Sequence, residues 1–387
     1  MRGALFAFVL SSPLLCAQSI VPLPAGGFPQ GGSLRCRVSP IHPAVDFGLR
    51  LQAGYTVHVP LAQYKGAGHK WRVVVRVEPR EPAAAPIYLG SHFELPPVPD
   101  TKAEGEIGGG FLLGEGRYEV TLALEDEQGR TCTAAWQIEA SGRAVRGFDN
   151  VLPPGAVAEL SSAPAESSQD PVFERLTVLV HAAPATERDA RLQASDLVTS
   201  LGELSSLVGQ RPARSVRLVV FNLTQQTELL RKDPFRLADL NAVQQALYNL
   251  QLAQVDYRVL QNRNGETELL AGIVEREMSA AEPPEAVVFL GPRLRSPAGL
   301  AKRALAIPKK MPRFFYVARW RTPRQGSGGT PGDMKGRLGA FQLDPLPARV
   351  HTETDVIAEM VARLKGKTFD VESPADFAKA IRQIGRR

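Results

Sequence analysis

The chain has few cysteines and lacks the sequence signatures of common catalytic sites. Its 387 residues contain no Gly-x-Ser-x-Gly elbow, no His-Glu-x-x-His pair and no phosphate loop ending in Gly-Lys-Ser/Thr. His42, His58, His69 and His92 show no metal-ligand spacing, and the acidic residues form no acid/base pair that the sequence ties together. These absences argue against an enzyme and against a zinc site.

Long apolar runs are also missing beyond the N-terminus. No later stretch approaches the roughly 18 apolar residues of a transmembrane helix. The N-terminus has the pattern of a signal peptide, because Arg2 precedes the apolar run Ala4–Leu15 and Ala17 is a small residue at a cleavage point. We expect residues 1–17 to be removed and the protein to be exported, either periplasmic or secreted. Lipoprotein anchoring at Cys16 is the alternative, although Leu15 is larger than the residue that usually precedes a lipidated cysteine.

Cleavage after Ala17 leaves two cysteines, Cys36 and Cys132. Export permits a disulfide, and both cysteines lie in β-type segments of one region, so we predict a bridge between them. The alternative is two small buried side chains that never meet.

Residues 34–140 alternate apolar and polar side chains with a period of two. In the clearest case, the turn Glu127–Arg130 joins the run Tyr118–Leu124 to an alternating segment that contains Cys132 and Trp136. This pattern is typical of a β-hairpin with one buried face, and we predict an antiparallel β-sandwich. Gly116–Val120 resembles the penultimate strand of bacterial immunoglobulin-like (Ig-like) domains, which implies an Ig-like sandwich.

The pattern changes twice after this region. Residues 141–171 are rich in Pro, Ser, Ala and Gly, so we predict a linker. In residues 172–387, apolar strands alternate with amphipathic helices, which indicates an α/β doubly wound, Rossmann-like domain with a mostly parallel sheet. The expected strands are Leu176–Val180, Val216–Leu223, an antiparallel return at 227–230, Ala286–Leu290, Arg313–Trp320 and Thr368–Val371, and Ser373–Pro374 caps the last helix. The whole chain is therefore predicted to be multidomain.

The order of these elements resembles a von Willebrand factor type A (vWA) domain. The run Gly366–Ile381, where a short strand leads through Ser-Pro into the closing helix, carries the resemblance, and a generic doubly wound domain is the alternative. The resemblance implies a metal-ion-dependent adhesion site built on Asp-x-Ser-x-Ser after the first strand. His181, Ala183 and Ala185 occupy the matching positions, and the family's later Thr and Asp fall near Thr267 and Gly291.

This set of side chains lacks the hard oxygen ligands that magnesium prefers. A histidine nitrogen suits softer metals, and the two alanines offer no ligand. We predict a degenerate site without a metal ion, and no cofactor. His181 is a candidate binding residue at the end of the strand, and a histidine that is hydrogen-bonded only locally is the alternative.

Positive charge concentrates between Gly291 and Ala340, where Asp333 is the one acidic residue and the basic excess exceeds the +6 of the whole chain. Such a segment attracts anionic surfaces in a salt-dependent way. The candidate binding residues chosen from it are Arg293, Arg295, Arg319, Arg321 and Arg324. A basic surface loop without a dedicated partner is the alternative.

These observations favour an exported, non-catalytic interaction protein. Its expected partner is a protein or an anionic envelope polymer, and nucleic acid is not expected as a partner of an exported chain. The competing hypothesis is an enzyme that acts on an anionic envelope substrate through groups scattered along the sequence. Titratable side chains that converge around His181 would favour the enzyme, and a bare apolar or basic rim would favour binding.

Overall fold

A computed structural model describes residues 18–22, 27–29, 32–148, 150–161, 170–185, 191–210, 212–252, 257–262, 264–293, 295–296, 300, 311–319 and 354–386. The chain divides into two compact units, Met1–Ser167 and Ser168–Arg387. None of the helices within the described ranges combines the length and apolar composition that a bilayer span requires.

The first unit consists of two antiparallel sheets, with strand orders β1-β5-β4-β7-β8 and β2-β3-β6-β9. Their strands are β1 (Ser19–Ile20), β2 (Arg37–Val45), β3 (Leu51–Pro60), β4 (Lys70–Glu81), β5 (Ile87–Glu94), β6 (Glu104–Leu113), β7 (Gly116–Asp126), β8 (Thr131–Ala140) and β9 (Val157–Glu159). One hydrophobic core takes side chains from both sheets, for example Tyr55 and Val57 from β3 and Val73 and Val75 from β4. The predicted antiparallel sandwich is therefore present.

The predicted hairpin is confirmed in strands β7 and β8. Tyr118 and Leu122 lie in the buried face of β7, and the two strands pair from Gly116↔Ala140 to Glu125↔Thr131. A disulfide joins Cys36 to Cys132, with 6.1 Å between the Cα atoms. The bridge ties the segment before β2 to the start of β8.

The segment predicted as a linker contains regular structure. Val157–Glu159 forms β9, which pairs antiparallel with the end of β6. Val145 and Phe148 are buried, and the Tyr118 hydroxyl donates to the backbone oxygen of Ala156 at 3.3 Å. This part of the predicted linker therefore completes the sandwich, because its few apolar residues find partners that are distant in sequence.

The second unit contains a six-stranded sheet with the order β12-β11-β10-β13-β15-β17. Its elements are β10 (Phe173–His181), α1 (Ala194–Gly209), β11 (Ala213–Asn222), β12 (Thr227–Lys232), α2 (Leu240–Tyr248), α3 (Tyr257–Gln261), α4 (Gly265–Met278), β13 (Ala286–Pro292), β14 (Arg295–Ser296), β15 (Arg313–Arg319), β16 (Thr354–Asp355), α5 (Val356–Arg363), β17 (Lys367–Val371) and α6 (Pro374–Ile384). Within the described part of this sheet, β12 runs antiparallel to its neighbour β11, and all other neighbouring strands run parallel to each other.

The sheet is covered on both faces, as its sequence predicts. Every residue of β13 is buried, which is typical of a central parallel strand. The last helix begins as expected, because the Ser373 side chain accepts a hydrogen bond from the Asp376 backbone N–H and Pro374 occupies the first turn. The strand order reverses between β10 and β13, so their carboxyl ends flank the crevice where ligands of such sheets usually bind.

Candidate functional site at the carboxyl edge of the parallel sheet

The first strand of the parallel sheet ends in a buried histidine. His181 closes β10 and is 1% exposed, and its ring centre lies 5.5 Å from that of Phe221. Ala182 and Ala183 are buried as well, and the Ala182 N–H donates to the Phe221 carbonyl oxygen at 2.8 Å. The loop therefore continues beside β11. His181, predicted as a binding residue, is a core residue that does not reach the surface.

Gly291 lets the end of β13 lie close to the end of β10. Gly291 has a φ of +149°, and a Cβ atom at this position would lie 2.7 Å from the His181 carbonyl oxygen and 2.9 Å from the His181 Cβ. Both the backbone conformation and the space therefore exclude a larger residue. An acidic ligand at this end of β13 would need the backbone of the neighbouring strand to move.

The buried polar side chains of this edge hold the backbone in place. Asn222, at the end of β11, donates to the Ala182 carbonyl oxygen at 2.6 Å and accepts from the Gln225 N–H at 2.7 Å. Asp196 in the first turn of α1 accepts from the Ala185 N–H at 3.0 Å. Because these groups satisfy loop N–H and C=O groups, they stabilise the edge and are not turned towards a ligand.

The side chains at this edge do not fit a magnesium-type ion. His181 is a buried nitrogen donor, Ala183 has no donor, and Gly291 leaves no room for a carboxylate. The Thr267 hydroxyl donates to a backbone carbonyl at the start of α4 at 2.8 Å. Within the described ranges, no group of three or more His, Cys, Asp or Glu side chains is placed to hold a metal ion.

A buried ion pair lies at the same edge, below α1. Arg319 ends β15 and is 7% exposed, and its Nη1 lies 3.3 Å from Oε2 of Glu203, which is 1% exposed. Ser200 Oγ accepts from Arg319 Nη2 at 3.4 Å. Burial raises the pKa of Glu203, and the nearby Arg319 charge opposes that rise. The prediction that Arg319 forms part of a basic binding surface is corrected, because its guanidinium is enclosed.

The other arginines chosen from the basic segment differ in how much the structure describes. Arg293 forms an ion pair with Asp370. Burial lowers the pKa of Arg293, but the hydrogen bond to Asp370 and the charges of Asp370 and Asp355 together raise it. The backbone of Arg295 lies in β14. Arg321 and Arg324 lie outside the described residues. Arg293 and Arg319, whose side chains are described, are thus both paired with carboxylates.

Helices of the second unit carry exposed apolar side chains. Among the described residues of this unit most large hydrophobic side chains are buried, whereas four are strongly exposed: Val198 (50%), Tyr248 (78%), Tyr257 (71%) and Leu260 (66%). Val198 lies near the start of α1, which follows the carboxyl end of β10, and Tyr248 is the last residue of α2. We refer to these four residues as the apolar rim.

Two glutamines hold the rim against the sheet edge. Gln225 and Gln226 lie in the turn that follows β11, and the Gln225 amide donates to the Gln251 carbonyl oxygen just beyond α2. The Gln226 amide donates to the Asn262 carbonyl oxygen at the end of α3 at 2.9 Å. Both segments that carry the rim tyrosines are thus attached to the turn that follows the carboxyl end of β11.

A second polar cluster lies within the sheet, away from the rim. Glu277 of α4 is 1% exposed and accepts hydrogen bonds from Thr177 at 2.9 Å, Arg217 at 2.9 Å and Arg231 at 2.5 Å. Burial would raise the pKa of Glu277, but the hydrogen bonds from Arg231, Arg217 and Thr177 lower it. Arg217 also pairs with Asp233 at 2.6 Å. The charged groups of this cluster are paired with each other, and its hydrogen bonds join α4 to β10, β11 and β12.

Comparisons with known proteins give no family. No family model and no curated protein matches the chain. Northeast Structural Genomics Consortium target SoR45 is similar over 30% of this chain and 92% of that one, at 12% identity and a TM-score of 0.19. The Bacillus subtilis sporulation control protein Spo0M aligns over 30% of this chain and about half (51%) of its own, at 15% identity and a TM-score of 0.17. Bacteroides uniformis beta-glucuronidase 2 aligns over 75% of this chain and 36% of its own, at 6% identity and a TM-score of 0.19.

The sequence patterns did not predict the apolar rim. The helical spacing of Leu240, Val243, Leu247 and Leu250 predicts the buried side of α2, and Tyr248 falls outside that spacing. A large aromatic residue off the buried side of an amphipathic helix is the signal that could have indicated an exposed contact surface.

Proposed function

We propose that this chain is an exported, non-catalytic interaction protein, in which an Ig-like β-sandwich precedes a vWA-like domain that binds its partner without a metal ion. The six-stranded sheet with its one antiparallel strand, and the Ser-Pro start of the closing helix, support the vWA-like interpretation. The two antiparallel sheets around one core support the Ig-like interpretation.

The Cys36–Cys132 disulfide supports export. Disulfides persist in oxidising compartments and are rare where thiols are kept reduced. The bridge agrees with the signal-peptide pattern of residues 1–17, and the two together support the proposed periplasmic or secreted location.

The apolar rim is the observation that carries the binding function. Its tyrosines combine a large apolar ring with a polar hydroxyl, a combination enriched at protein–protein contacts. The titratable groups near His181 are enclosed and already paired with backbone groups or with each other. Exposed apolar side chains near an edge whose polar groups are already paired suit recognition of another protein better than chemistry on a small substrate.

A capture experiment tests this proposal. Wild-type protein is immobilised and exposed to envelope extract, in parallel with the variant Tyr248→Ala/Tyr257→Ala/Leu260→Ser. We expect the variant to recover about tenfold less partner protein, because aromatic anchors dominate contact energies. Capture by wild type should be equal in excess magnesium and in EDTA, and neither addition should shift its thermal stability.

The matched control is Ile20→Ser/Ile41→Ser, which removes two exposed apolar side chains of the first unit. This control should capture as much partner as wild type. Undiminished capture by the rim variant would contradict the proposal, and so would EDTA-dependent release. Recovery of a polysaccharide in place of a protein would show that the partner class is wrong.

A further inference from the structure

The sandwich of the first unit has one long open edge. In the described residues, β8 pairs with β7 from Thr131 to Ala140 without a register shift, and no strand pairs with its other side. The Leu34 N–H donates to the Thr131 carbonyl oxygen at 3.1 Å and Cys36 is disulfide-bonded to Cys132, so the segment before β2 covers the first two residues of β8 and the open part of the edge begins at Thr133. Such an edge presents a row of N–H and C=O groups that another strand can pair with.

The other outer strands of these two sheets are protected or very short. β2 contains Pro40 and Pro43, and its pairing with β3 is irregular between Ile41 and Ala44. β1 has two residues and β9 has three. Prolines, irregular pairing and short length are the usual ways in which proteins block edge pairing. β8 has ten residues, no proline and no irregularity, so it lacks all three.

The side chains of β8 allow a close approach. Thr133, Ala135 and Gln137 are exposed on one face of the strand, and none of them is charged or larger than a glutamine. Glu139 is the one charged residue of β8, and Arg117 stands directly opposite it on β7. An approaching strand would therefore meet a nearly uncharged backbone edge.

We propose that β8 pairs antiparallel with β8 of a second copy of this chain, so that the sheets of two copies form one continuous sheet. In a symmetric antiparallel pair, residues directly opposite each other must lie on the same face of the sheet. One residue therefore faces its own copy, and the twofold axis passes midway between these two copies. An axis at Ala135 sets Ala134 opposite the bulky Trp136 of the second copy and Thr133 opposite its Gln137, so pairing spans Thr133–Gln137 and leaves the Leu34–Thr131 hydrogen bond in place. No like charges meet, and large side chains stand opposite small ones.

This arrangement favours a second copy over an unrelated strand, because the sequence of β8 complements itself in charge and size in that register. An axis at Trp136 would place two indole rings directly opposite each other. The interface also goes beyond the proposed function, because it lies in the first unit and uses none of the rim residues.

Cross-linking of the purified protein tests the proposal. Antiparallel partners have Cα atoms about 4.5–5.5 Å apart, within the range of a disulfide, so Ala135→Cys should form covalent dimers under mild oxidation. Gln128→Cys, in the exposed turn before β8, is the matched control. We expect at least about tenfold faster dimer formation for Ala135→Cys, since only that site brings the two sulfur atoms together.

Sedimentation provides an independent measurement. Wild type should show a concentration-dependent monomer–dimer equilibrium, and Ala135→Lys should raise the dimer dissociation constant about tenfold or more because two like charges then face each other. Thermal unfolding of Ala135→Lys shows whether the variant is folded, and the cysteine experiment decides the question if it is not. A monomer at all concentrations would overturn the proposal. Equal cross-linking at both cysteines, or a dimer that Ala135→Cys does not trap, would also overturn it.

Discussion

Arg319 and Glu203 form an ion pair in the interior of the second unit, with 3.3 Å between Nη1 and Oε2. The pair connects the end of β15 to α1 and is almost completely shielded from water. A buried pair of this kind contributes little net stability, but removal of one partner leaves an uncompensated charge.

We therefore expect Arg319→Met to lower the free energy of unfolding by about 3–5 kcal/mol. The double variant Glu203→Leu/Arg319→Met should lose much less, because both charges are then absent. Urea unfolding of wild type, both single variants and the double variant measures the coupling. Additive effects of the two single substitutions would contradict the buried pair.

Gly291 should tolerate no side chain. Gly291→Ala combines a positive φ with a contact of 2.7 Å to the His181 carbonyl oxygen, so we expect a loss of about 2–4 kcal/mol. Gly272→Ala is the matched control, because its Cβ meets nothing within 4 Å and it lies inside α4. The control should be neutral or more stable by about 0.5–1 kcal/mol. Similar denaturation midpoints for the two variants would contradict the close approach of Gly291 to the His181 backbone.

The ionised carboxylate of Glu277 should stabilise the fold, so part of the stability should be lost when acid protonates it. Folding lowers the pKa of this carboxyl from its ordinary 4.5, so the unfolded chain binds more protons than the native state near and below that pH. The contribution of Glu277 is fully present above 4.5 and is lost as the pH falls through its folded pKa. Glu277→Gln should be less stable than wild type at neutral pH, and the difference should shrink towards pH 3. A difference that is constant with pH would be inconsistent with this assignment.

Removal of the Cys36–Cys132 disulfide should lower the stability of the first unit. Cys36 and Cys132 are 96 residues apart, and a loop of that size gives a bridge a stabilising effect of about 2–5 kcal/mol. Cys36→Ser/Cys132→Ser should unfold at a lower urea concentration when followed by the fluorescence of Trp71 and Trp136, which lie in this unit. Reduction of wild type should reproduce the shift, and reductant should not affect the variant. A reductant-sensitive variant would argue against this bridge as the cause.

Local patterns in the sequence predicted much of the architecture. The β7–β8 hairpin, the antiparallel return at β12 and the Ser373–Pro374 cap were all predictable, because each depends on residues close together in the chain. β9 was not predicted, because its three residues gain their stability from pairing with distant β6. A sequence offers no periodic signal for so short a strand.

The candidate site was less predictable for the same physical reason. Arg319 was interpreted as a surface charge, since nothing near it in sequence shows that Glu203, 116 residues away, lies against it. His181 was correctly placed at the end of a buried strand, but its own burial depends on Phe221 of the next strand. Charge and residue type indicate what a side chain can do, whereas its environment is decided by contacts between distant segments.

The contact between Gly291 and His181 also limits how this edge can be re-engineered. An acidic residue at position 291 cannot be the first step towards a metal site, because the backbone of His181 blocks it. An aspartate introduced first at position 181 would bury a carboxylate beside an aromatic ring before any ion could neutralise it. Either first step costs stability, so a metal site at this edge would require several substitutions made together.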